Sequence, residues 1–497
     1  LLISAYSIPS AISKVIAELL ALGQARKAQR VFHGALLYVL IVSGAFSLFV
    51  FFGAGLLTVG NSVTVLRVFS PTILFFGFLG VLRGYFQAHR TMLPTSVSQI
   101  LEQIVNASVS LLAAWLFIRS AGAQAGETER AVRGAVGSAL GTGAGVFAAL
   151  LFLLLIYFMK RKEITRRLAE DTEGRPDTWG SVLKLLFLTV TPFILSTFVY
   201  NFSTMLDQTI FQRVLLHLRG CAERDIAVSY GIFSTKAVVI ANIPIALSSA
   251  LSSAMMPNLS ASHARGDSEA SGFLVQRALK VTWIISVPCA AGLFVLSRPV
   301  MLLLFPQRNS LDEAAALLAG MSVTVIFYSI STLTNAVLQG IGKMHLPVFN
   351  AALALVLQAL LLGGLLQWTK LDNEALVIAA ILYSALMCVF NHRSIQGTLE
   401  LRGSSRHEVT APLLASACMG IVSFLVYRGV SLLLGLFAVG EYLTNLIALL
   451  PALFIAVETY GLLIVRLGGV TEEELLMMPR GRSIVRWMRK LRILPVR

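Results

Sequence analysis

Ile8-Pro9-Ser10-Ala11-Ile12-Ser13 returns 235 residues later as Ile243-Pro244-Ile245-Ala246-Leu247-Ser248. A second phrase behaves the same way. Leu82-Arg83-Gly84, followed by a basic turn and Pro94, returns 256 residues later as Leu338-Gln339-Gly340, followed by Lys343 and Pro347. The two offsets fit one duplication with drift in loop length. Around these phrases the chain is filled by thirteen long apolar segments, near 1–20, 31–59, 66–89, 95–118, 134–159, 184–215, 226–256, 275–297, 314–340, 346–368, 374–398, 409–436 and 442–466. Each approaches the roughly 20 apolar residues that a bilayer-spanning helix needs. A duplicated bundle of such helices is a common way to build a transporter with its pathway between two halves.

Composition agrees. Of 497 residues 56% are hydrophobic and only 13% charged, outside the range of soluble domains. Barrel strands would alternate polar and apolar residues in short runs, which these segments do not. The predicted fold is an all-α integral membrane protein with two pseudo-symmetric six-helix lobes. Residues 1–159 form the N-terminal lobe and 184–400 the C-terminal lobe, joined by a cytoplasmic connector at 160–183. Six helices separate equivalent points of the halves, so the lobes run parallel about an axis along the membrane normal. Two extra spans follow within 401–466, then a basic tail at 467–497. Leu1 opens inside an apolar stretch, and the second-half phrase has a full segment ahead of it whose first-half counterpart is absent. This predicts one further helix before Leu1 and 14 spans in all.

The net charge of +15 reads as topology, not as a nucleic-acid footprint. With the turn after the first segment placed in the cytoplasm, cytoplasmic loops hold 27 lysines and arginines and external ones 10, the positive-inside pattern. The stretch 480–497 has seven basic residues and no acidic one, with Trp487, Met488, Leu491, Ile493 and Leu494 between them. It suits a helix lying on the anionic inner leaflet. The four cysteines show neither a CxxC pair nor metal-ligand spacing.

Polar residues inside the spans carry the functional information, because a charge at mid-bilayer costs at least about 3 kcal/mol unless hydrated or paired. Lys236 lies ten residues into its segment, about 15 Å deep by helical rise. It either faces a water-filled cavity, available to an anionic substrate, or pairs with a carboxylate on a neighbouring helix. Lys14 and Glu18 are four apart and can pair on one helix face. Lys14 otherwise lines the cavity or snorkels to the inner surface. Gln99, Glu102, Gln103, Asn106 and Ser110 share one helical stripe, which either lines a cavity or glues helices together. Asp207 can meet Lys236 or Arg213. Arg83 is an interfacial anchor or a contact for a substrate head group. Asn242, just ahead of the second Ile-Pro phrase, completes the candidate set. The two Ile-Pro phrases are expected to break helices beside the space between the lobes.

No GxxxxGK[ST] phosphate loop, HExxH or GxSxG occurs, and no external loop is long enough for a catalytic domain, so the expectation is a transporter and not an enzyme. No cofactor motif is present; coupling to a monovalent cation or to the membrane potential is the expected energy source.

Three phrases carry a family resemblance: Ile8-Pro-Ser-Ala-Ile-Ser-Lys-Val-Ile-Ala-Glu18; Leu82-Arg-Gly-Tyr-Phe-Gln-Ala-His89 with Pro94-Thr-Ser-Val-Ser-Gln-Ile-Leu-Glu-Gln103; and Tyr230-Gly-Ile-Phe-Ser-Thr-Lys236. The chain resembles the multidrug/oligosaccharidyl-lipid/polysaccharide (MOP) flippase superfamily, within it the Gram-positive branch of MurJ-like lipid II flippases, stage V sporulation protein B and polysaccharide biosynthesis proteins. The resemblance implies a V-shaped pair of lobes, an inward- and outward-open cycle, and a bacterial plasma-membrane location. It implies a polyprenyl-pyrophosphate-linked saccharide, such as lipid II, as cargo, with Lys14, Arg83 and Lys236 placed to attract the pyrophosphate. The resemblance further implies that the first helix, where this family often carries cavity cations, is the one expected before Leu1. Membrane lipids are the other expected contacts, cell-wall synthesis enzymes the expected protein partners, and a monomer the expected state. The competing expectations are a cation-coupled drug exporter, which should have a more acidic cavity and usually 12 spans, and a non-transporting scaffold for cell-wall enzymes.

Overall fold

The computed structural model describes residues 8–57, 62–89, 91–122, 126–162, 178–399, 406–436 and 440–477. Most of the connector and the basic stretch 480–497 lie outside them. Among the described residues the regular structure is helical throughout. The helices are α1 (Ile8–Ala21), α2 (Ala25–Phe52), α3 (Ser62–Ala88), α4 (Met92–Ser120), α5 (Glu127–Met159), α6 (Trp179–His217), α7 (Glu223–Ile232), α8 (Val238–Ala264) and α9 (Ser268–Val295). There follow α10 (Ser297–Leu304), α11 (Leu311–Gly340), α12 (His345–Trp368), α13 (Asn373–Gln396), α14 (Arg406–Gly435), α15 (Glu441–Arg466) and α16 (Glu472–Met477). A π-helical turn, Phe233–Ala237, joins α7 to α8 without a break. Every predicted apolar segment coincides with a helix. Eleven are long and apolar enough to cross a membrane, α7 and α8 together making one of them. The other two predicted segments fall on α1 and α6.

The chain divides into two compact units, Leu1–Asn201 and Phe202–Arg497. The division falls inside α6 and not at its start, because the first turns of α6 pack on α2. The Arg30 guanidinium lies 4.8 Å from the centre of the Trp179 ring, and Gly34 leaves room for Val182 and Leu186.

In the first unit, α4 and α5 approach closely along a glycine stripe. Gly137, Gly141 and Gly145 are spaced by four, so they share one face of α5. A Cβ at Gly137 would collide with the backbone of Ala114, one at Gly141 with Ser110, and one at Gly145 would lie 2.6 Å from the Glu102 carbonyl oxygen. Small residues at this spacing let membrane helices pack backbone to backbone, where dispersion and buried polar contacts replace the missing hydrophobic drive. Gly141→Leu is expected to cost about 3 kcal/mol by overpacking, which lowers the Tm of the purified chain by roughly 6 °C for a unit of this size. Gly363→Ala is the control: a Cβ there meets nothing within 4 Å, and no loss is expected.

The helices that carry the repeated phrases meet in both units. Gly84 packs against Pro9 and Ile12 of α1. Gly340 packs against Met256, Leu259 and Ser260 of α8, and its carbonyl accepts from the Ser260 hydroxyl at 3.0 Å. The helix pairing recurs, but the register has slipped along α8. The expected helix break at Pro244 is corrected: α8 runs through it from Val238 to Ala264. The irregularity sits about two turns earlier, in the π turn Phe233–Ala237. There the Ser234 and Thr235 hydroxyls bond the carbonyls of Tyr230 and Gly231, and such back-bonding competes with the regular ladder and bends a helix.

The second unit is built around α11, a large share of which is buried. The last two spans are fastened to it at several points. Tyr460 donates to the Ile284 carbonyl at 2.7 Å. Asn445 donates to the Pro299 carbonyl at 2.9 Å and accepts from Tyr427 at 2.8 Å. Beyond α15, Thr471-Glu472-Glu473-Glu474 forms a capping box. The Thr471 amide donates to the Glu474 carboxylate, and the Glu474 amide to the Thr471 hydroxyl. The same carboxylate receives the Lys280 ammonium on both oxygens at 2.8 Å, and Leu475 is buried beside it. Burial acts to raise the Glu474 pKa, but the Lys280 and Thr471 hydrogen bonds outweigh it and hold the carboxyl below its ordinary 4.5. A carboxyl depressed in the folded state adds stability above its unfolded pKa and loses it as pH falls through the folded one. Amide-exchange protection of 470–477 is therefore expected to fall as pH drops below 4.5. Glu474→Gln should remove that pH dependence and leave the protection low throughout.

Candidate functional site

Each unit has its own buried polar centre. In the first, Arg83 near the end of α3 turns inward. Its Nη2 donates to Glu102 Oε2 at 2.7 Å and its Nε to Ser98 Oγ at 3.1 Å. Ser98 passes its own proton to the Thr95 carbonyl at 2.7 Å. Arg83 is 4% exposed and Glu102 9%, so the pair is internal. The reading of Arg83 as an interfacial anchor or head-group contact is corrected. The short turn from α3 to α4 brings a guanidinium and a carboxylate face to face, and pairing is the state that avoids a bare charge in an apolar interior.

The polar stripe of α4 divides among three environments. Glu102 serves Arg83. Asn106 Oδ1 accepts from Ser110 at 2.9 Å and from Thr142 of α5 at 3.4 Å, so this end is helix–helix glue. Gln99 and Gln103 are exposed. Lys14 and Glu18 are both exposed on α1, and among the described residues no ion pair joins them.

In the second unit, Lys236 lies in the π turn and is only 8% exposed. Its ammonium donates to Gln307 Oε1 at 2.9 Å and to Ser310 Oγ at 2.8 Å, and lies 5.6 Å from the centre of the Phe305 ring. All three partners belong to the link between α10 and α11. Neither earlier alternative for its partner describes this arrangement. Among the described residues no carboxylate neutralises the amine, and its acceptors are protein groups. The side chain reaches that link because a helical Cα–Cβ bond tilts toward the helix N-terminus.

Asp207 meets neither Lys236 nor Arg213. Its two carboxylate oxygens accept from Gln358 Nε2 at 2.8 and 2.7 Å. Gln358 Oε1 in turn accepts from Ser203 at 2.9 Å, which ties α6 to α12. Asn242 is exposed on α8, and Arg213 on α6. Gln307, Ser310 and Gln358 were not among the candidates. Gln358 carried a signal, a lone amide in an apolar run; Gln307 and Ser310 sit in a short link with no pattern to mark them. A second amide network, Asn350 to Asn391 and Asn391 to Asn335 at 2.9 and 3.0 Å, binds α11, α12 and α13.

The stretch of chain that carries these polar centres matches a family model. The model of that family, "Lipid II flippase MurJ", matches residues 25–448. The chain belongs to the MurJ family. It is 23% identical over 413 residues to the lipid II flippase MurJ of Bacillus subtilis (strain 168), covering 78% of this chain and 73% of that protein. It is 22% identical over 402 residues to stage V sporulation protein B of the same organism, covering 80% and 74%. The membrane protein YabM, also of Bacillus subtilis, is 25% identical over 459 residues, covering 92% and 81%. Among solved structures, the eukaryotic MATE transporter AtDTX14 superposes with a TM-score of 0.60 at 15% identity, over 84% of this chain and 87% of that one. A MOP-superfamily transporter from Pyrococcus furiosus gives 0.56 at 16% identity, over 80% and 85%. These likenesses show the shared fold. Members of the MurJ family are transporters and not enzymes, and this chain is a multi-pass bacterial membrane protein.

Proposed function

We propose that the chain moves a polyprenyl-pyrophosphate-linked saccharide, most specifically lipid II, from the inner to the outer leaflet by alternating access. One observation carries the reading: Lys236 is a buried ammonium in a membrane helix whose hydrogen-bond partners among the described residues are neutral. A buried cation costs free energy, and a carboxylate partner would have cancelled its charge. Keeping the charge uncancelled suits a transient anionic ligand, and the pyrophosphate of a lipid-linked sugar supplies one. Lys236 binds it as a point charge with rotatable donors. The saccharide itself needs a polar path, because each unsatisfied polar group in hydrocarbon costs several kcal/mol. Lys14, exposed and unpaired with Glu18, is a second cation for the head group. Arg83 is withdrawn from that role by Glu102. Coupling to a monovalent cation or the membrane potential belongs to the same proposal, and Asp207, held by a neutral amide, is the carboxylate on which a cation would act.

The test is complementation. A strain depleted of its own lipid II flippase should regain growth when this chain is expressed, without gaining drug resistance. Drug resistance without rescue would favour an exporter.

A further inference from the structure

We propose that the link Phe305–Ser310 is a hold on Lys236, in which Gln307 and Ser310 stand in for the anionic oxygens of the substrate and must be displaced before the head group binds. This deepens the reading of Lys236 given above and rests on it.

The geometry is specific. An ammonium has three donors. Two end on Gln307 Oε1 and Ser310 Oγ, and the Phe305 ring covers the remaining side. The amine is thus fully occupied by one six-residue stretch. Both acceptors are neutral oxygens, the weakest ligands that still satisfy a buried cation. Those bonds are charged on the donor side alone; a phosphate oxygen in the same place carries charge on the acceptor side as well, so that the ammonium gains an opposite charge in addition to a hydrogen bond. The exchange therefore runs downhill when substrate arrives and reverses when it leaves. The hold keeps the amine hydrogen-bonded between cycles without neutralising its charge.

The link is short and is placed by buried neighbours. Met301 and Leu302 of α10 and Leu311 of α11 are buried in the core of the second unit. Between those anchors, the Phe305 amide bonds the Met301 carbonyl and the Gln307 amide the Phe305 carbonyl, and a single 3-10 turn, Arg308–Ser310, leads into α11. Ser310 occupies the N-cap position of α11 without bonding the helix through its side chain. Its hydroxyl is spent on Lys236 and not on the helix end, where a cap serine ordinarily spends it. A residue set aside from its usual structural task in this way marks a contact with its own purpose.

The experiment uses the purified full chain in nanodiscs of zwitterionic lipid, with inorganic pyrophosphate as the probe. Each hydrogen bond of the hold competes with the ligand, so Gln307→Ala and Ser310→Ala are each expected to bind pyrophosphate about five-fold tighter. Ser310→Thr keeps the hydroxyl and should bind as the unmodified chain does. Gln307→Glu places a carboxylate on the amine and should weaken binding at least about ten-fold. A second readout does not involve the ligand: labelling of Lys236 by a small amine-reactive reagent, followed by mass spectrometry, should rise in both alanine variants and not in Ser310→Thr. Unchanged labelling and unchanged affinity in the alanine variants would overturn the hold, even where Lys236→Ala abolishes pyrophosphate binding and so upholds the head-group reading. Raised labelling, with Lys236→Ala binding pyrophosphate normally, would show that the link covers the amine but would overturn the head-group reading, and with it the displacement of Gln307 and Ser310 by substrate.

Discussion

Lys236→Ala is expected to abolish rescue of a flippase-depleted strain while the chain still reaches the membrane in normal amount. Losing the amine strands two neutral groups, Gln307 and Ser310. Each lost bond to the charged amine is worth about 1.5–3 kcal/mol, offset by the relieved cost of burying the ammonium, and Gln307 is exposed so that water can replace its partner. That loss is small against the removal of the cation proposed to bind the head group. Lys236→Met separates the two effects, since it keeps the apolar stem against Phe305 and deletes only the charge. Growth counts in the depleted strain, set against immunoblots of membrane fractions, are the measurement. Full rescue by either variant would remove Lys236 from transport.

Glu102→Ala should have the largest effect on stability. It leaves Arg83, 4% exposed, with Ser98 as its partner at 3.1 Å. Breaking a buried ion pair from one side costs about 3–5 kcal/mol, because the remaining charge is uncompensated. Replacing both partners by apolar residues of similar size, as in Arg83→Met with Glu102→Leu, should recover most of that loss. Thermal unfolding of the purified single and double variants gives the coupling directly. A single variant as stable as the parent would mean that water reaches Arg83 and that the pair is no part of the interior of the first unit. Gln339 stands where the second-half phrase matches Arg83, so this pair belongs to the first half alone.

The apolar runs were enough to place every described helix of spanning length, because a span must satisfy its whole backbone internally and so announces itself by length and hydropathy; the short helices Ser297–Leu304 and Glu472–Met477 fall outside them. The sequence was silent on the partners. Arg83 and Glu102 were each singled out, but nothing in linear order says that a guanidinium near the end of α3 turns toward α4 and away from the surface. Asp207 drew attention as a carboxylate, yet its partner Gln358 is distant in sequence and neutral. Lys236 reads as deep when residues are counted from the helix start, but a lysine stem is long and the acceptors lie on a link that descends to meet it. Gly137, Gly141 and Gly145 spell a close-packing motif that is legible in the spacing alone.

The most direct measurement is the amount of lipid II exposed on the outer leaflet of flippase-depleted cells that express this chain. We expect exposure to return with the unmodified chain and to stay at the depleted level with Lys236→Met at equal expression. Equal exposure with both chains, or none with either, would contradict a flippase that works through the amine at 236.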